Sequence, residues 1–340
     1  MALKENVLGV MEVDCSEGIS TEEYNQIDPE ILDCFPYQEY PVNLFHWKED
    51  IRVLSPVYVV GRSVDRHLRA KIRDLSKNGL LFFSRHQISQ YSECLACNLE
   101  TALNDPNLTW DEKAGLFICE LDRRQAALYA HHLGTYLEDL KQAIESLCDY
   151  LLQSPRRIAR LVKDVHADLC AERRRINASI IALAIYVELN KGRLSRGTLE
   201  RVALGFLVYD IGMSHLSPLM LGKSQQFSTS EKRTMREHPN AGVELLKKLH
   251  VTQGEVFEPV IQHHERLNGT GYPGKLKGER IGQLGRIAAV ADSYCAMITE
   301  CAYRPSIPPI NAAADLVTNE RKYDQVICRT LVRFLQTVQK

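Results

Sequence analysis

Two short apolar runs with an amphipathic stretch between them open the patterned part of the chain. Ser55–Val60 and Gly79–Ser84 carry the β-branched and aromatic residues of strands. The segment between them, about Asp65 to Lys77, has helical periodicity, with Gly79 placed to stop it. Residues 1 to about 50 are acidic and weakly patterned, broken by Pro29, Pro36 and Pro41. Long helical patterns run from about Trp110 to Leu151, and Pro155 marks their end. From Arg156 to Lys340 nearly everything reads as helix, and Ser228-x-x-Glu231 has the spacing of a capping box that opens a helix toward His238-Pro239. The pattern predicts a mainly α chain. A small α+β N-terminal domain of sensor or interaction type, with a helical connector, occupies 1–150, and an all-helical bundle occupies 151–340. Neither a Gly-rich phosphate loop nor the acidic cluster of a phospho-accepting receiver is visible in the first half.

Composition narrows the picture. A chain of 340 residues suits two domains of roughly 100–200 residues each. With 45% hydrophobic and 25% charged residues it has the balance of a folded globular protein. Lys+Arg is 42 against Asp+Glu 43, which argues against binding a nucleic-acid polymer. The N-terminus lacks a signal-peptide pattern, and the longest apolar stretch, Ala178–Leu189, is too short to span a bilayer. No membrane association and a cytoplasmic location are therefore expected. The 10 cysteines are scattered, so free thiols are the expectation, and Cys94-x-x-Cys97 has no second pair to complete a zinc site. The basic run Arg156, Arg157, Arg160 and Lys163 reads as a solvated face, and His131-His132 as a packing pair. Leucine-rich spacing between Leu128 and Leu152 leaves a helical homodimer open without a strict heptad.

Ligand-type side chains fall on apolar stripes. Ala203, Phe206 and Leu207 set an i, i+3, i+4 face on which Asp210 takes the i+7 place. Phe257, Val260 and Ile261 set another, with His264 at i+7 and His263 beside it. Asp292 lies one turn beyond Ala288 in an otherwise apolar helix. Buried carboxylates must be paired, hydrogen-bonded or on a metal. Carboxylates and imidazoles facing one helical core are how bundle metal sites are built, and this donor set suits iron, manganese, zinc or nickel. Each residue alone also has a bland reading, a satisfied core histidine or a helix cap.

The stretch His263-His-Glu-Arg-Leu-Asn-Gly-Thr-Gly-Tyr-Pro273 closely resembles the signature of the HD-GYP family, and Arg286–Asp292 and Tyr303-Arg304 are similar to its next characteristic blocks. The resemblance is specific at 263–292 and extends from about 172 to the C-terminus. It implies an all-helical HD-superfamily domain, a centre of two or three divalent ions, iron or manganese foremost, and hydrolysis of cyclic di-GMP, in which the cations activate water and neutralise phosphate oxygens. By that resemblance Asp210, His238, His263, His264 and Asp292 match metal ligands, with Asp210 bridging. Tyr209 stands where the histidine of the HD dyad belongs, Met213 where a lysine belongs, and Asn177 and Arg173 where an upstream histidine and glutamate belong. Cys295 and Cys301 replace a later aspartate and arginine. One metal position thus keeps a full set, while the other loses its imidazoles.

Gly271, Tyr272 and Pro273 form the lip which, in the family, faces diguanylate cyclase partners of the GGDEF type, and Arg304 keeps the place of a ligand-contacting base. Three readings follow. The first is a degenerate HD-GYP protein of bacterial cyclic di-GMP signalling, weak or inactive as a phosphodiesterase and acting as a binding or regulatory module. The second is an active phosphodiesterase yielding pGpG or GMP, with Tyr209 as an unusual ligand. The third is a structural remnant in which the N-terminal module carries the function.

Overall fold

The computed structural model describes residues 13–15, 19, 23–32, 35, 39–95, 108–217, 220, 228–300 and 305–338. The backbone forms two compact units, Met1–Glu120 and Leu121–Lys340.

In the first unit, β1 (Val13–Asp14), β2 (Tyr24–Gln26), β3 (Leu44–Lys48), β4 (Val53–Tyr58) and β5 (Leu81–Ser84) form one antiparallel sheet in the order β1-β4-β3-β5-β2. Helices α1 (Pro29–Leu32), α2 (Arg66–Lys77) and α3 (Ile88–Leu95) complete it. The expected strand–helix–strand pattern is present. Asp65 caps α2 by accepting from the Leu68 N–H, and Gly79, at φ +71°, turns the chain into β5. An aromatic cluster fills the interior: Phe83 stacks on Tyr91 at 4.1 Å, with Phe35 edge-on to Tyr91 and Tyr40 edge-on to Tyr58. β3 falls in the region that looked weakly patterned, because its Leu44 and Phe45 are both buried and the period of two is lost.

The second unit begins inside α4 (Trp110–His131) and continues through α5 (Gly134–Gln153), α6 (Ile158–Ala167), α7 (Arg174–Leu189), α8 (Arg196–Leu207), α9 (Thr229–Met235), α10 (His238–Lys248), α11 (Gly254–Gln262), α12 (Gln283–Ile298), α13 (Pro309–Thr318) and α14 (Gln325–Val338). The backbone divides at 120/121, where the sequence pattern put the boundary at 150. The reason is that α5 buries Leu137, Leu140, Ile144 and Leu147 against α8 and so belongs to the bundle. The long patterns from 110 to 151 are two helices, broken at His132, whose φ is +53°. At the bundle centre lies α7, buried continuously from Ile176 to Val187 and packed on α8, α12, α6 and α14. This explains the apolar stretch that was too short for a membrane span. No helix among the described residues is long and apolar enough to cross a bilayer.

Candidate metal centre

Asp210 sits just past the end of α8, as the residue before a 3-10 turn, Ile211–His215. What brings it to the histidines is Gly212. A Cβ there would fall inside the carbonyl oxygen of His238 and 2.7 Å from the Gly242 nitrogen, so the turn lies directly against the first turn of α10. Across this contact the Asp210 Oδ1 lies 3.3 Å from His238 Nε2 and 3.9 Å from His263 Nε2. His263 is the residue that caps α11, buried under Pro259 and Val260. The apolar face of α11 is therefore Val256, Pro259 and Val260, one residue out of step with the expected stripe, and His264 lies beyond the helix end rather than on its i+7 place.

The protons on these rings follow from their partners. His238 Nδ1 lies 2.6 Å from the Met235 carbonyl, and His263 Nδ1 lies 3.0 Å from the carbonyls of Pro259 and Val260. A carbonyl only accepts, so both Nδ1 atoms carry the hydrogen and both Nε2 atoms present lone pairs. Those two lone pairs face each other at 3.0 Å. Burial pushes all three histidines toward the neutral form. His263 falls to about 4, helped by neighbouring His238, and His264 falls well below its ordinary value through burial and then His263. Asp210 moves the other way, to about 7, through burial and then the charge of Asp292. Ring nitrogens of His238, His263 and His264 lie within 4.8 Å of one another. Opposed lone pairs beside a carboxylate call for a cation, and 3.0 Å is the separation of adjacent ligands around one ion bound at about 2.1 Å. The residues fit a divalent metal.

Asp292, on α12, is engaged elsewhere. Its Oδ1 accepts from Arg174 Nη2 at 2.9 Å and from the Tyr209 hydroxyl at 3.2 Å. Burial pushes this carboxyl up, but Arg174, with His264 and His263, outweighs burial and holds it well below the usual range. Tyr209 is driven far above its ordinary value by burial, then by Asp292 and Asp210. It stays a protonated phenol that donates. The hydroxyl expected as an unusual ligand is given to Asp292 in this geometry. Asn177 gives its amide N–H to the Asp168 carbonyl at 2.9 Å, and Arg173 pairs with Asp168 at 3.1 Å.

Residues 140–327, more than half of the chain, match the family described as "HD domain". The chain belongs to the HD-domain family. Among curated proteins, this HD chain is 29% identical over 156 residues to a cyclic di-GMP phosphodiesterase of Pseudomonas aeruginosa, covering 46% of the chain and 36% of that relative. It is 33% identical over 116 residues to a cyclic di-GMP phosphodiesterase of Vibrio cholerae, 32% of the chain and 24% of the relative. A 3'3'-cGAMP-specific phosphodiesterase of Vibrio cholerae matches at 26% over 190 residues, 55% and 35%. The chain thus spans about a third or less of the length of these relatives. An HDG"Y"P protein from Bdellovibrio bacteriovorus shares the fold, with a TM-score of 0.61 and 19% identity over 92% of this chain and 99% of that one.

Within the HD domain the loop after His264 is held from below. The buried Glu265 carboxylate accepts the N–H groups of Gly274 at 2.6 Å and Leu276 at 3.0 Å. Gly271 packs on the backbone of 264–266, where a Cβ would sit 2.5 Å from the His264 oxygen. Tyr272 then lies over His264, ring centroids 4.5 Å apart, with the Arg236 guanidinium 5.7 Å from its other side. Pro273 follows through a cis peptide, and both residues are half-buried at the lip.

The structure therefore gathers Asp210, His238, His263 and His264, places Tyr209 and Asp292 in an adjoining pair, sets Gly271 against the backbone of 264–266 and Tyr272 over His264, with Pro273 next along the lip. Arg304, with Cys301 and Tyr303, lies outside the described residues. Sequence reasoning missed Arg174, Gly212 and the structural part of Glu265. The Arg173-Arg174-Arg175 run gave a signal for Arg174, but no spacing rule selects one arginine of three.

Proposed function

We propose that this HD domain is a cyclic di-GMP-binding regulatory module of the HD-GYP type, weak or silent in hydrolysis. The observation that carries it is the engagement of Tyr209 with Asp292, beside Asn177 turned to a backbone carbonyl: the two positions where the family resemblance calls for imidazoles bond to the protein instead. Asp210, His238, His263 and His264 would hold a divalent ion, iron or manganese, which supplies water activation and charge neutralisation at phosphorus. The lip at Gly271–Pro273 would receive the ligand or a GGDEF-type diguanylate cyclase domain, and Arg304 would contact the ligand. The relatives named for cyclic di-GMP and for 3'3'-cGAMP support a cyclic dinucleotide as the ligand class. A cytoplasmic site of action and a homodimer complete this reading.

The alternative, an active phosphodiesterase, is favoured by the preserved histidine cluster and by the activities for which the relatives are named. Titration calorimetry with cyclic di-GMP on manganese-loaded full chain, with chromatography of the products, separates the two. Saturable binding with no pGpG above background supports the regulatory reading. Steady conversion that disappears in His263→Ala establishes the enzyme, and neither binding nor conversion overturns both.

A further inference from the structure

Two carboxylates, buried Asp292 and half-buried Asp210, face the interior between α7, α12 and the turn after α8, and they are not equivalent. Asp210 meets only neutral imidazoles on its histidine side, at 3.3 and 3.9 Å. Asp292 already has a cation: the side chain is 8% exposed, and the guanidinium of Arg174 lies 2.9 Å from Oδ1. The same oxygen accepts the Tyr209 hydroxyl, so an incoming ion would lie beside the guanidinium and the phenol whichever carboxylate oxygen it took. Arg174 is the first residue of α7, the most buried helix of the bundle, and its side chain reaches α12 from a fixed base. We propose that Arg174 is the built-in counter-cation of Asp292, so that this site takes one divalent ion, at Asp210 and the histidines, and not a pair.

Charge accounting supports the same answer. Two carboxylates and one guanidinium leave one negative charge among neutral rings. A single divalent ion turns this into one positive charge, which an anionic ligand offsets. A second divalent ion beside the guanidinium would leave three positive charges close together, a disfavoured arrangement that solvent at the 39%-exposed Arg174 side chain screens only in part. One atom speaks for a second ion. The buried Asn177 Oδ1, one turn along α7 from Arg174, has no hydrogen-bond partner among the described residues. Recruiting it would set that second ion beside the Arg174 guanidinium.

The test is metal stoichiometry on full-length protein reconstituted with Mn(II), read by elemental analysis, with electron paramagnetic resonance to tell an isolated ion from a coupled pair. Wild type is expected to hold one equivalent with an uncoupled spectrum. Tyr209→His alone, which restores an imidazole, is expected to stay at one because the guanidinium still occupies Asp292. Adding Arg174→Ala to Tyr209→His is expected to raise the count to two. Two equivalents in wild type or in Tyr209→His alone overturn the proposal, as does a folded double variant that remains at one. If the double variant does not fold, the wild type and the single variant decide. The inference rests on the metal-centre part of the functional reading but not on weak hydrolysis. Rapid turnover by a one-ion wild type would defeat that reading and leave this proposal standing.

Discussion

Gly212 carries no functional group, yet the structure makes it decisive for the metal centre. Replacing it with alanine puts a methyl group into the His238 carbonyl and 2.7 Å from the Gly242 nitrogen. Both neighbours are backbone, and neither can rotate aside. The 3-10 turn must then retreat from α10 by on the order of 1 Å, and overpacking of this kind costs about 3 kcal/mol where no side chain can yield. At about 2–4 °C per kcal/mol for a unit of this size, Tm should drop by about 6–12 °C. The same retreat carries Asp210 away from His238. Because metal–ligand bonds tolerate only a few tenths of an ångström, affinity for Mn(II) should fall about 10–100-fold. Differential scanning calorimetry and competitive chelator titration measure the two effects. Gly134→Ala is the control: nothing lies within 4 Å of a Cβ there, and the residue starts a helix, so stability should hold or rise slightly. A Gly212→Ala protein with wild-type Tm and wild-type metal affinity would show that the close approach of the turn to α10 does not position Asp210, and the reasoning would fail.

Metal affinity should also report the protons of the site. The Asp210 carboxyl titrates at about 7 and must ionise to bind, whereas His263, at about 4, is already neutral, so affinity should fall about tenfold per pH unit from pH 7 to 5 and level off above 8; a flat profile over that window contradicts the assignment. The sign for the metal-free fold is the reverse at this residue. A carboxyl raised in the folded state keeps a proton that the unfolded chain releases near 4, so the Asp210 contribution to stability declines as pH rises from about 4 to 7. His263, depressed in the fold, opposes it by adding stability as pH rises from about 4 to its ordinary 6.5, and Asp210→Asn should remove only the first trend, visible in pH-dependent denaturation. Glu265→Ala should leave the N–H groups of Gly274 and Leu276 without their acceptor, lowering stability by about 2–3 kcal/mol and admitting protease between residues 271 and 276; mass mapping of limited digests that finds no new cut there refutes the staple. Finally, Mn(II) at a hundredfold excess over its Kd should stabilise the protein by about 2.7 kcal/mol, and His238→Ala should abolish that gain in a thermal shift assay.

The parts that were legible in the sequence share a cause. Strands β4 and β5 and helix α2 are short, regular and bounded by residues with one conformational use, Asp65 and Gly79, so local pattern was enough. His263, His264, Asp210 and Asp292 stood out because they interrupt apolar faces, whereas His238 was picked out only by the family resemblance. The register of α11 was misread because Pro259 counts as a breaker in sequence but packs as an apolar residue in the helix. What could not be read was any feature made by two distant segments meeting. Asp292 is a ligand-type residue in sequence, and only the arrival of Arg174 from 118 residues away changes what it can do. Likewise Gly212 is an unremarked glycine until α10 is laid against it.

The Glu265 staple has an evolutionary consequence. It grips the loop through the main-chain N–H groups of Gly274 and Leu276, so the hold itself needs no particular side chain at Leu276, while Gly271 must stay a glycine. Loop and ligand set can therefore be inherited separately in part: substitutions at Asn177 or Tyr209 leave the Glu265 bonds untouched, although a change at Tyr272 removes the ring stacked on His264. A lineage could lose chemistry in one step and still present the same surface to its partners, which leaves room for a catalyst to drift into a receptor.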